Sequence, residues 1–221
     1  MKKALIALGA STLVGFFGII LHGQPDSPPV LNGKVMKVAG SFPQRTKEEL
    51  MIKSEVIIKG TVKDVGTSKW SNPDFKKGEN IRNILQTDVF IHVEEVFKGT
   101  PYDTQQIAVR IDKGETPTTK VTSDGYPDFS KGEEVILFLS KDNSDVANHD
   151  ESYYVLTGMI QGKYEADGEG KYKSALRGLT DVIERPNFRE EIEKVLEKER
   201  LNTKSVSTGE IREINKKVFG E

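Results

Sequence analysis

The 221-residue chain has no cysteine, one tryptophan and three histidines. The first absence excludes disulfide staples, thiol chemistry, thiolate metal sites and a lipidated cysteine anchor, so the folded part must be held by packing. The histidines stand apart: His22 in the exit from a leader, His92 on an expected strand, His149 in a polar loop, none with a partner at ligand spacing. No H-E-x-x-H, G-x-S-x-G, S-x-x-K or Walker loop occurs in a usable context. No catalytic constellation is legible, and no cofactor is expected.

A basic field is lacking too. The formal charge is −2; setting aside Lys2 and Lys3 leaves 30 basic against 34 acidic side chains, or −4, with both signs mixed along the chain. Pairs such as Lys76-Lys77 and Lys216-Lys217 are too short to release counterions from a run of phosphates, which excludes nucleic acid as a partner.

What is present begins at the N-terminus. Lys2 and Lys3 precede an apolar run from Ala4 to Leu21 without charge or proline, followed by Gln24-Pro25-Asp26. As a helix this run rises about 27 Å at roughly 1.5 Å per residue, close to the thickness of the hydrocarbon layer. The stretch Phe16 to Gly23 offers no A-x-A-like cut site, so residues 1–23 are expected to be a signal anchor that enters the membrane through residues 4–21. The leading lysines place the N-terminus in the cytoplasm and the rest outside. A leader cut after Gly18 or Gly23 gives a secreted protein instead.

Residues 24–45, with Pro25, Pro28 and Pro29, read as a tether. A domain is expected over 46–201 and a tail with a short amphipathic pattern over 202–221. Thr46-Lys47-Glu48-Glu49 is a capping-box pattern that opens a short helix through Leu50 and Met51. Period-two alternation then marks strands at Val56–Lys63, Thr87–Phe97, where Glu94-Glu95 breaks the alternation as a bulge would, and Gln106–Ile111. Glu134–Leu139 is apolar on both faces, as a central strand is. Further strands are expected at Tyr153–Leu156, Ile160–Glu165 and Lys171-Tyr172, the last two joined by the turn Asp167-Gly168-Glu169-Gly170. The stretches from Pro73 to Asn83 and from Gly114 to Gly132 read as long connections. From Asn187 the period becomes helical, with a Phe188, Ile192, Val195, Leu196 stripe and a Glu190–Lys194 pair.

These elements predict a mainly β (α+β) fold: a small antiparallel OB-like barrel with a C-terminal amphipathic helix, preceded by the membrane-spanning helix. The phrases "TKEELMIKSEVIIKGTVKDV", "TDVFIHVEEVFKG", "IAVRI", "FSKGEEVILFLS" and "MIQGKYEADGEG" resemble an uncharacterised group of exported bacterial barrel domains of Gram-positive type, over about Thr46 to Lys173. The resemblance lies in strand faces and turn glycines, so it implies a fold and carries no active site. At fold level alone it is also similar to netrin-like and metalloproteinase-inhibitor barrels, whose disulfides this chain lacks.

Three groups of residues are candidates for chemistry. Trp70 and Phe75 in one loop, and Tyr126 and Phe129 in another that shares its Pro-Asp-Phe and Lys-Gly-Glu phrases, are expected either to contact a ligand or to plug the barrel ends. Asp142, Asp145, Asp150 and Glu151, with Ser144 and Asn148, are the densest oxygen donors for a calcium-type ion, though without EF-hand spacing, and also read as a solvated hairpin connection. Asp88, Glu94, Glu95, Glu133 and Glu134 are the acids available to a carboxylate-dependent hydrolase, although neighbours on a strand face opposite ways. The leading expectation is a membrane-anchored extracytoplasmic binding module for an envelope protein or polymer; the alternative is a hydrolase acting on an envelope substrate.

Overall fold

The computed structural model describes residues 33–74 and 83–205. The expected leader, the tether as far as residue 32, Phe75 and the expected tail pattern over 207–218 lie outside them. Among the described residues no helix is long and apolar enough to cross a membrane.

The chain is mainly β, with a five-strand closed barrel and one long C-terminal helix. The barrel strands are β2 (Val56–Val65), β4 (Leu85–Lys98), β5 (Gln106–Ile111), β8 (Glu134–Ser140) and β9 (Tyr154–Leu156); β1 (Lys34–Val38), β3 (Lys69–Trp70), β6 (Gly114–Glu115) and β7 (Thr119–Ser123) are among the strands outside it. Pairing runs β2–β4–β5–β9–β8 and back to β2, antiparallel except for β5–β9, which is parallel. Two strands have a third neighbour: β4 carries the two-residue β3, and β8 is where the sheet branches. Its start pairs with β10 (Lys163–Gly168) and its end with β9, so the sheet leaves the barrel through β10, β11 (Lys171–Ser174) and β12 (Val182–Glu184).

Closing so few strands demands curvature, and β2 and β4 supply it with register shifts at three places. Lys59 pairs with Glu95 and Gly60 with Val93, so Glu94 is an extra residue, the bulge expected from the glutamate doublet. Its consequence differs from simple alternation. Both glutamates reach groups outside the barrel, Glu94 to Lys59 and Glu95 to Arg185 and Arg189. Gly60 sits opposite this bulge because a Cβ there would lie 2.4 Å from the His92 carbonyl oxygen.

Inside the barrel the core is aliphatic: Val56, Ile58, Val62, Val89, Ile91, Ile107, Val109, Leu137, Leu139 and others, with Tyr154. Outside it, α1 (Lys47–Lys53) and α2 (Arg185–Ser205) cover the β2–β8 face and build a second core from Leu50, Met51, Ile57, Phe138, Tyr164, Tyr172, Ile183, Phe188 and Ile192. The capping box on α1 is formed, Thr46 accepting from the Glu49 N–H and Glu49 from the Thr46 N–H. At its other end Lys98 donates to the Met51, Ile52 and Ser54 carbonyls, satisfying orphan acceptors of the helix terminus. Burial without a carboxylate partner pushes the Lys98 ammonium below its ordinary value.

Three expectations are corrected. Ile160–Gly162, expected as the start of a strand, belong to a 3-10 turn, Met159–Gly162, entered from Gly158 at φ 72°, and the strand begins at Lys163. The turn is needed to swing the chain from β9 to the far half of β8, and Gln161 secures it by donating to the Pro43 and Gly158 carbonyls. Helix α2 starts at Arg185, before the expected Asn187, because Pro186 is tolerated in a first turn whose N–H groups have no partner. The stripe is as expected, with Phe188 and Ile192 buried and Val195 and Leu196 partly so, and Glu190 pairs with Lys194 at 2.7 Å. Finally, the connection 114–132 contains β6 and β7, and β7 pairs in parallel with β1 from residues 34–38, read as tether.

Candidate binding groove

Beyond Leu156 the barrel has a seam. There β9 has ended and β10 has taken over the edge of β8, leaving a gap beside the exit of β5 that residues 125–129 fill. Tyr126 and Phe129 are half-buried and pack against the aliphatic core. The plug is tied on every side. Gly125 accepts from the Ile160 N–H at 2.8 Å, and the Tyr126 hydroxyl donates to Asp112 at 2.9 Å. Lys113 donates to the Tyr126 carbonyl at 3.1 Å and Lys163 to the Asp128 carbonyl at 2.6 Å. Lys163 also lies 4.4 Å from the centre of the Phe129 ring. Burial, then the Asp112 carboxylate, drives the Tyr126 phenol well above its ordinary value.

Lys163 is itself the least expected part of this arrangement, with a side chain only 1 % exposed. A buried ammonium is tolerable only with close partners. It has them in Glu133 at 2.5 Å and Glu165 at 2.9 Å as well as the Asp128 carbonyl.

The outer side of the plug is the floor of a groove of about 1270 Å³, walled by β6, β7 and the turn between them on one side and by β10, β11 and residues 175–177 on the other. Tyr126 and Phe129 line it, whereas Trp70, half-buried on β3 opposite Leu85, does not. Phe75 lies outside the described residues.

The groove's charges are matched. Its carboxylates pair with ammonium groups: Glu115 with Lys120, Asp124 with Lys37, Asp128 with Lys113, Glu165 with Lys163 and Asp167 with Lys173. Lys113 holds the Asp128 carboxyl below its usual range. Of the lining cations, Arg177 alone has no carboxylate partner among the described residues.

The acidic loop 142–151 takes another place, over the outer face of β4 and β5. Arg110, with a side chain 3 % exposed, makes two bonds to Asp88 at 2.7 and 2.8 Å, another to Glu151, and stacks on the Tyr153 ring at 3.7 Å. Burial opposes the charge on Arg110, but Asp88 and Glu151 outweigh it and raise its value. Lys69 and then Arg110 hold the Glu151 carboxyl below its usual range. Asp142 accepts from the Tyr153 hydroxyl and the Ser144 N–H; burial would raise its value, yet these donors bring it down. The four carboxylates are thus not brought together: Glu151 turns to Arg110, Asp142 to Tyr153, while Asp145 and Asp150 are exposed. Among the described residues no group of three or more His, Asp or Glu side chains is placed to hold a metal ion.

The hydrolase candidates are each committed to a cation. Asp88 lies on Arg110, Glu95 on Arg185 and Arg189, Glu133 on Lys163. Glu94 and Glu134 do converge, but on Lys59 between them, with Thr61 bonding Glu94 and Tyr172 bonding Glu134. Lys59 and then Thr61 hold the Glu94 carboxyl low, which suits a fixed anion and not a proton donor. His92 is exposed and faces the Gln105 carbonyl, and His149 is exposed.

Lys163 and Arg110 carry the wiring of both regions, and neither stands out in sequence. Each sits in an alternating strand pattern where a charge normally means solvent; acidic groups from a neighbouring strand or the same strand, joined by Glu151 and Glu133 from loops, reverse that. No protein-family model matches the chain, and no curated protein matches it.

Proposed function

We propose that the chain is a binding module of the cell envelope, held at the membrane by its apolar leader with the barrel on the outer side, and that the groove over the seam is its ligand site. The barrel's pairing order, with the third and fifth strands parallel, supports the reading of an OB-like barrel, a scaffold that carries binding sites for extended polymers. The observation that carries the reading is the groove itself: about 1270 Å³, larger than a typical small-molecule pocket, with Tyr126 and Phe129 in its floor. Each of its carboxylates is paired with a lysine and, among the described residues, Arg177 is the one lining cation without a carboxylate partner, which favours binding over acid–base chemistry.

The test is hydrogen exchange on the full-length chain in nanodiscs, with and without solubilised envelope polymer or envelope protein fractions. Slower exchange confined to 113–129 and 163–177 is the expected result. Protection limited to α2, or none with any fraction, removes the groove as the site. Separately, membrane fractionation with protease added from outside should leave the barrel cell-associated and digestible; a chain in the cytosolic fraction ends the envelope part of the proposal.

A further inference from the structure

Resting on that groove reading, we infer that the occupant is an extended peptide segment ending in a free carboxylate, seated with that carboxylate on Arg177. The argument starts from the charges. A ligand that brings an anion beside Glu115, Asp128 or Asp167 meets a carboxylate already neutralised by its own lysine and gains little. Arg177 differs: it is exposed, it lines the groove, and no carboxylate among the described residues meets it. A guanidinium presents a planar fork that fits a carboxylate with two parallel bonds. Its place is set by the backbone, since the chain turns there, the Leu179 N–H donating to the Leu176 carbonyl and Gly178 standing at φ 90°.

The rest of the groove matches an apolar peptide better than a sugar. One face of the Phe129 ring is covered by the Lys163 ammonium and the Tyr126 hydroxyl is engaged with Asp112, so neither ring is a free stacking platform with a polar handle. What they present is apolar carbon, continued by Val121, Ile160, Ala175 and Leu176. Hydroxyls of Thr122, Ser123 and Ser174 stand along the same walls; Ser123 and Ser174 already accept from the Gly125 and Leu176 N–H, and each keeps an O–H to donate to an extended backbone.

The probe is a fluorescein-labelled nonapeptide of alternating Val and Ser with a free C-terminal carboxylate, compared with the same peptide amidated, against the full-length chain in nanodiscs. The variants are Arg177→Gln, on the surface, and Ala175→Trp, which fills the groove and is checked for folding by circular dichroism. Expected is at least tenfold tighter binding of the acid than the amide, an advantage lost in Arg177→Gln, and weakening of both peptides by Ala175→Trp. Equal binding of acid and amide, with both weakened by Ala175→Trp, overturns the carboxylate seat and leaves the groove. Binding that a folded Ala175→Trp does not weaken, or no binding of either peptide at millimolar concentration, overturns the peptide inference; in the first case the groove reading goes with it.

Discussion

The inside and the outside of the same strands are built from different chemistry. On β8, Leu137 points into the barrel and Phe138 out of it; on β5, Val109 points in and Arg110 out. Within the closed ring of five strands there is room for branched aliphatic side chains in layers, for the ring of Tyr154 and, at the seam, for the flanks of two more rings. Outside, the wedge between sheet and helices takes Phe138, Tyr164, Tyr172, Phe97 and Phe188, whose rings meet at angles, Phe97 and Phe188 edge to face at 4.9 Å. The difference teaches that in a small barrel space is limiting inside and partners are limiting outside. The outward charges that are buried had to be matched, Arg110 by Asp88 on the next strand and Glu151 from a loop, Lys163 by Glu165 on its own strand and Glu133 from the turn before β8.

Three changes break or sharpen this contrast. The largest effect is expected from Phe138→Ala, which empties the centre of the outer core and should lower stability by about 3–5 kcal/mol in chemical denaturation. A loss under 1 kcal/mol would mean that the helices are not anchored there. Next is Leu137→Phe, one residue away and facing inward. Overpacking the barrel should lower stability by about 1–3 kcal/mol, and a neutral result would refute the claim that space is what keeps rings out.

The smallest effect is in acid. The folded Glu151 carboxyl lies below its ordinary 4.5, so its contribution is complete above that value and is lost as the pH falls from 4.5 through the lower folded value. Glu151 is 38 % exposed, so the change is modest. The protection of residues 141–153, from hydrogen exchange corrected for the intrinsic pH dependence of amides, should fall below pH 4.5, with Glu151→Gln already less protected at neutral pH and showing only the weaker pH dependence that Asp142 leaves. The barrel interior, which holds no carboxylate, should show no such local response. Equal pH dependence in both regions would remove the distinction.

Legibility followed the same division. The alternation in Val89, Ile91 and Val93, the doublet at Glu94-Glu95 and the turn at 167–170 could be read directly, because strand phase, bulges and tight turns are local properties. β7 and the 3-10 turn at Met159 could not, since they meet partners distant in sequence, β1 and Pro43, and β6 and β12 are too short to show a period. In the groove, Tyr126 and Phe129 were visible as loop aromatics. Their companions Lys113, Lys163 and Arg177 were not, because a lysine looks solvated until Asp128 or Glu133 is brought to it, and a lone arginine in a turn looks like any surface charge until a groove forms beside it.

Local patterning by itself therefore determined the mainly β class, the two faces of each long strand, the capped helix α1 and the apolar stripe of α2, since all depend on residues a few positions apart. Only the tertiary structure decided the parallel closure of β5 on β9, the seam it leaves, the plug that fills it and the groove above. The physical reason is that closure is a contact between strands more than forty residues apart, selected by how the whole ring of hydrogen bonds is satisfied and not by the preference of any one segment.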